Sequence, residues 1–167
     1  MNQGSITTRL TASFAAILIL GLLSLGVYFY VATDLHFKEI DRATLEEAVK
    51  RVEYILSAGS NEHPETIRAK LGNLIARQDS VSIRIAMQGG PLLVEDTSIA
   101  FPVDATRAAM ERVRFNEPVL YAWSEGARRF RGLALLLPVT GDGTTLLEVN
   151  AAIRIDHHEA FMDVVLR

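Results

Sequence analysis

From Leu10 through Thr33 the chain runs 24 residues without a charged side chain. A hydrocarbon core asks for roughly 20 apolar residues in helical form, so the run is long enough to cross a bilayer. Lipid offers the backbone no hydrogen-bond partners, which makes helix the expected form. Arg9 stands directly before the run, and Tyr28-Phe29-Tyr30 lies near its far end, where interfacial aromatics are expected. A cleaved signal peptide is the alternative, but its apolar region normally spans only about 7–15 residues. The expected layout is a cytoplasmic tail over 1–9 and an uncleaved transmembrane helix over 10–33, with membrane lipid as a partner.

Beyond the anchor, Asp34 to Ser57 lacks Gly and Pro and is rich in Glu, Ala, Lys and Leu. It reads as a helix continuing outward until Gly59. Leu45, Val49, Val52 and Leu56 form one apolar stripe, flanked by Ala48 and Ile55. At about 100° per residue, His36 falls close to the opposite side of the helix from Leu45 and Val52. That outward side also holds Ile40, Ala43 and Tyr54, a mixed surface suited to a second subunit. A second amphipathic helix starts at Pro64 and uses Ile67, Leu71, Leu74 and Ile75. Alternating apolar and polar residues predict a strand over Val81–Met87, with Leu92–Val94 returning after Gly89-Gly90. Asp104 caps a short expected helix reaching Val113. Strands follow over Val119–Trp123, Phe130–Val139 and Leu146–Ile155, with turns at Glu125-Gly126 and Gly141-Asp142-Gly143.

The fold class is therefore α+β: an N-terminal transmembrane helix runs into a long extracytoplasmic helix. A mixed α/β, PAS-like (PDC-type) domain with a central antiparallel sheet over 34–160 comes next. Glu159 to Leu166 is the start of an apolar helix, so 161–167 reads as the opening of a second transmembrane segment.

A net charge of −3 without a long basic run argues against nucleic acid as partner. With no cysteine in the chain, disulfides and thiolate metal sites are excluded, and a metal must be held by His, Met or carboxylate. No G-x-S-x-G, phosphate-loop or H-E-x-x-H pattern occurs, so no catalytic residue is assigned. Of the four histidines, His63 precedes Pro64 and reads as a solvated loop residue. His36 stands just outside the first membrane segment, and His157 and His158 just before the expected second one. If both segments cross one bilayer, the two sites stand at similar height. They are either ordinary interfacial histidines or ligands, imidazole being suited to copper, zinc and nickel. A weaker candidate is an anion site at Arg128, Arg129 and Arg131 beside Trp123 and Phe130. Met87, Met110 and Met162 are isolated and read as packing.

Three segments together resemble the heavy-metal sensor histidine kinases of the CopS/CusS type. They are the anchor entry Ser5-Ile6-Thr7-Thr8-Arg9-Leu10-Thr11, then Asp34-Leu35-His36-Phe37, and the closing Ile155-Asp156-His157-His158. The resemblance implies an inner-membrane homodimer whose periplasmic domain detects copper or silver and which passes the signal to a response regulator. It implies a dimer-interface metal site of His36 with His158, shielded by Phe37, with His157 as a lesser candidate. Silver-responsive members carry a Met/His-rich insertion in the sheet region. Nothing similar lies between Trp123 and Gly132, which favours copper. The phosphoacceptor helix and ATP-binding domain would follow a second membrane helix, so this stretch is expected to lack kinase activity of its own.

Overall fold

Helix α1 runs from Ile6 to Ala58. The computed structural model describes residues 6–59, 63–77, 80–114, 117–139 and 145–156. It divides into two compact units, Met1–Glu39 and Ile40–Arg167.

In the first unit, the large apolar side chains between Leu10 and Val31 are all exposed, from Leu10 at 72% to Tyr30 at 44%. Length and composition qualify this part of α1 to cross a membrane. The 24-residue run extends about 36 Å as helix, against a hydrocarbon thickness of about 30 Å. Its hydroxyls turn back to the helix: Thr11 Oγ1 donates to the Thr7 carbonyl at 2.9 Å and Ser24 Oγ to the Leu20 carbonyl at 2.8 Å. Past the apolar run, ion pairs four residues apart support the helix in water. Asp34 pairs with Lys38 at 2.6 Å, and in the second unit Arg42 pairs with Glu46 at 2.7 Å. Each contributes about 0.3–0.5 kcal/mol.

The second unit contains the remainder of α1, α2 (Pro64–Ile75), α3 (Val103–Met110) and five strands: β1 (Ser82–Met87), β2 (Leu92–Glu95), β3 (Val119–Glu125), β4 (Arg128–Pro138) and β5 (Leu146–Arg154). The sheet is antiparallel throughout, in the order β2-β1-β5-β4-β3. Two hairpins, β1–β2 and β3–β4, turn at Gly89 and Gly126, whose φ of 65° and 59° lies in the left-handed region. The mixed α+β architecture read from the sequence is present, with strand limits shifted by one or two residues. The segment Gly141-Asp142-Gly143 and the apolar stretch 161–167 lie outside the described residues.

Period-two alternation gives the sheet two distinct faces. On one, Ile83, Ile85, Val149, Ala151, Leu133 and Leu135 are buried against the α1 stripe of Leu45, Val49, Val52 and Leu56 and against Leu71 and Ile75 of α2. Full burial of a side chain such as Leu45 contributes about 2 kcal/mol. The other face packs α3 through Ala109 onto Tyr121 and Ala134. Here the sequence reading needs one correction. Pro102, not Asp104, occupies the N-cap of α3, with φ −65° and ψ 126°, and no side chain caps the helix. Asp104 falls in the first turn, where its charge still complements the helix dipole.

On the α3 face a run of rings crosses the sheet edge. Trp123 stacks on Tyr121 and on Phe130, each with centroids 5.3 Å apart, and Phe101 lies 6.1 Å from Trp123. The rings lie directly over Gly132, the register partner of Tyr121. A Cβ there would stand 2.6 Å from Tyr121 Cζ and 2.9 Å from Trp123 Cζ3. Gly132→Ala must therefore displace the stack and should destabilise the chain by about 1–3 kcal/mol, measured by denaturant unfolding. A melt unchanged from wild type would contradict this packing.

Candidate functional site

The histidines read from the sequence fall into three groups. His36 lies on α1 with its side chain exposed; among the described residues it makes no hydrogen bond or ion pair, and the adjacent Phe37 is half-buried. His63 is exposed at the N-cap of α2 and makes no capping bond with its side chain. His157 and His158 lie outside the described residues. Among the described residues no group of three or more His, Asp or Glu side chains could hold a metal ion. One exposed imidazole offers one ligand, so His36 alone does not make a site.

Within the second unit, two described positions far apart in the chain are attached to the start of β4. At one, Asp41, only 2% exposed, forms an ion pair with Arg131. Arg131 is also well covered, its side chain retaining 15% exposure. Asp41 stands four residues before Leu45, on the line of the core stripe, so burial of that stripe carries the carboxylate inward with it. At the other, Asp156 accepts the Arg129 backbone N–H at 3.1 Å and the Arg154 guanidinium. The Ile155 N–H donates to the Arg129 carbonyl at 2.9 Å. Burial alone would raise the Asp156 pKa. The Arg154 hydrogen bond, the Arg129 and Asp156 N–H groups and the Arg154 charge outweigh it, and hold the carboxyl below its ordinary value.

The same alternation puts Arg129 and Arg131 on the face opposite the aromatics, while Arg128 falls on the same side as Phe130. Phe130 and Trp123 are register partners on the α3 face, whereas Arg131 points to the α1 face, where Asp41 matches its charge. The sequence proximity of Arg128, Arg129 and Arg131 to the rings therefore does not create one anion pocket. Asp41 is the residue that sequence reading missed. Its signal was a lone carboxylate at the head of an apolar stripe.

A separate polar group sits under α3. The Tyr121 hydroxyl donates to Asn150 Oδ1 at 3.4 Å, with Asn150 buried. Burial pushes the Tyr121 phenol up to about 12, against the opposing influence of the nearby Thr106 hydroxyl and the Arg84 charge.

Comparison with known proteins follows this geometry. The CusS sensor domain family model matches residues 2–162, and the chain belongs to that family. A curated relative, the sensor protein CopS of Pseudomonas syringae pv. tomato, is 27% identical over 134 residues, covering 80% of this chain. The match takes in 26% of that protein, so the chain spans about a quarter of its length. Among solved structures, the sensor domain of the zinc-responsive histidine kinase CzcS from Pseudomonas aeruginosa aligns with a TM-score of 0.37 at 20% identity, over 68% of this chain and 94% of that one. A Mycobacterium tuberculosis transcriptional regulator aligns with a TM-score of 0.38 at 13% identity, over 68% of this chain and 45% of that one.

Two stability measurements check these contacts. Asp41→Leu or Arg131→Met alone leaves an uncompensated buried charge and should cost about 3–5 kcal/mol, while the double variant should recover most of that loss. Denaturant unfolding of all three variants reads the coupling; additive losses would mean the pair is not a unit. The Tyr121 phenol, held near 12 against an ordinary 10.0, keeps its proton longer in the folded state. Its contribution is therefore complete below pH 10 and is lost as pH rises towards 12. Tyr121→Phe should flatten the fall in stability over that window.

Proposed function

We propose that this chain is the metal-sensing region of a membrane-bound two-component sensor histidine kinase. Residues 10–33 cross the bacterial inner membrane, 34–160 form the periplasmic sensor domain and 161–167 begin the return through the membrane. In each of two symmetric sites of a homodimer, His36 of one protomer and His158 of its partner hold a copper ion, with silver as a further candidate. Two imidazoles suit the near-linear coordination that monovalent copper accepts. Phe37 shields the ion, with a cation–π contact to its ring, and His157 is a lesser candidate ligand. The phosphoacceptor and ATP-binding parts that act on a response regulator belong to the longer protein.

The observation that carries this reading is the shared anchoring on β4. Asp41, five residues after His36, and Asp156, directly before His157, are both held within Arg129–Arg131. The chain at Asp41 and at Asp156 is thus tied to one strand, which supports pairing the two candidate ligands. Membership of the CusS sensor domain family supports the same reading. For signalling, copper must favour one packing of the membrane-proximal helices over another, because equal affinity for both would shift nothing.

The test is calorimetric titration of the chain in lipid nanodiscs with Cu(I) and Ag(I) under anaerobic conditions. Wild type should bind with high affinity, and His36→Ala with His158→Ala should abolish that binding. Unchanged binding by the double variant would eliminate the interface site.

A further inference from the structure

The sheet face opposite α1 and α2 is incompletely covered. Helix α3 packs over β3 and β4 through Ala109, Tyr121 and Ala134, and leaves the β1–β5 side of that face open. The gap is a cavity of about 410 Å³. Its floor is Arg84 of β1 and Glu148 of β5, which project from the same face because Arg84 pairs with Asn150 and Ala86 with Glu148. Its wall is one stripe of α3, Val103, Thr106, Arg107 and Met110, with Glu111 at the C-cap of that helix.

Two features distinguish this cavity from an ordinary solvated sheet face. Thr106 is only 6% exposed, and its Oγ1 is buried without a hydrogen bond of normal geometry. It lies near enough to the Tyr121 hydroxyl to lower that group's pKa as a side-chain hydrogen-bonding neighbour, although the contact falls outside normal hydrogen-bond geometry. A buried hydroxyl left unmatched costs about 1–3 kcal/mol, so a polar atom of a ligand is a natural partner. The second feature is charge. Arg84 contacts Glu95 only at 3.6 Å, while Arg107, Glu111 and Glu148 have no ion-pair partner among the described residues.

Two guanidinium groups and two carboxylates therefore surround one small space. A simple anion entering it meets the glutamates, and a simple cation meets the arginines. A ligand that carries both charges satisfies both sets. Val103 and Met110 then offer contact to an aliphatic group. We infer that this cavity binds a free α-amino acid with an aliphatic side chain, its carboxylate on Arg84 and Arg107 and its ammonium on Glu148 and Glu111. The Thr106 hydroxyl donates to the carboxylate. The site lies on the opposite face from the Asp41–Arg131 pair and requires no metal, so it stands independently of the copper reading.

Calorimetry on the full chain in nanodiscs tests it, with EDTA present so that amino acid–metal complexes contribute nothing. The probes are L-leucine, L-valine and L-methionine, with 4-methylpentanoate and 3-methylbutylamine as leucine lacking one charge each. At least one amino acid should bind saturably at concentrations up to about 10 mM, a range that covers millimolar affinity. The two single-charge analogues should bind about tenfold more weakly or not at all. Arg107→Gln, at an exposed helix position that leaves the fold intact, and Glu148→Gln should each weaken binding by about tenfold. Thr106→Val should weaken it severalfold, and Arg51→Gln on α1 should leave it unchanged. Absence of binding by all three amino acids overturns the proposal. So does equal binding of 4-methylpentanoate, which marks an anion site, or leucine binding that Arg107→Gln leaves intact.

Discussion

The buried pair between Asp41 and Arg131 is the contact on which the placement of α1 depends. Desolvating a carboxylate to 2% exposure is unfavourable by several kcal/mol unless a charge of opposite sign is delivered to it. Arg131 delivers that charge from a strand 90 residues away in sequence. The apolar stripe of α1 repeats every three to four residues, so hydrophobic burial by itself tolerates a slip by one turn along the sheet. A single charged position at the head of the stripe does not tolerate it, since the slipped helix would bury Asp41 against apolar neighbours. The pair thus specifies register more than it adds stability, as polar positions do in coiled coils.

That register has a second consequence through β4. The strand offers a side chain to α1 at Arg131 and main-chain groups to the end of β5 at Arg129. Asp41 and Asp156, far apart in the chain, are consequently tied to positions two residues apart on one strand. A five-stranded sheet with β4 and β5 as inner strands is the stiffest place for both ties. Side-chain pairing at Asp41 and backbone pairing at Asp156 also respond differently to substitution. The first can be removed by replacing a residue, while the second survives most replacements.

Much of this architecture was legible in the sequence because it rests on periodicity. The Leu45-Val49-Val52-Leu56 stripe, the alternation in β1 and the apolar β4 and β5 all declare which residues face inward. The features that were not legible depend on residues distant in the chain. A lone Asp41 on a charged helix reads as solvated, and only folding shows that Arg131 meets it. Gly132 reads as an ordinary strand residue until Tyr121 and Trp123 are laid across it. Arg128, Arg129 and Arg131 look like a cluster with Phe130 in sequence, but period-two geometry sends neighbouring positions to opposite faces. For the site, exposure of His36 agrees with its phase opposite Leu45, while His157 and His158 follow the last described residue.

The two faces of the sheet are chemically unlike, and the difference bears on how a sensor of this build works. The α1 face is apolar around the Asp41–Arg131 pair. The α3 face buries Ser82, Thr106 and Asn150 and keeps Arg107, Glu111 and Glu148, without ion-pair partners among the described residues, at an open cavity. Residues on opposite faces alternate along the same strands: Glu148 and Asn150 flank Val149, and Phe130 precedes Arg131. A displacement of β4 or β5 produced on one face is therefore felt on the other within one residue. Coupling of this kind is reciprocal for binding free energies. If occupancy of the α3 cavity biases the same β4 position that the Asp41 tie prefers, ligand there raises the affinity for any ligand favouring that tie, and the reverse holds by equal measure. If it leaves β4 where it is, the two faces are independent despite their closeness. Proximity across a shared strand sets up the coupling, but only a difference in β4 position between two states makes it nonzero.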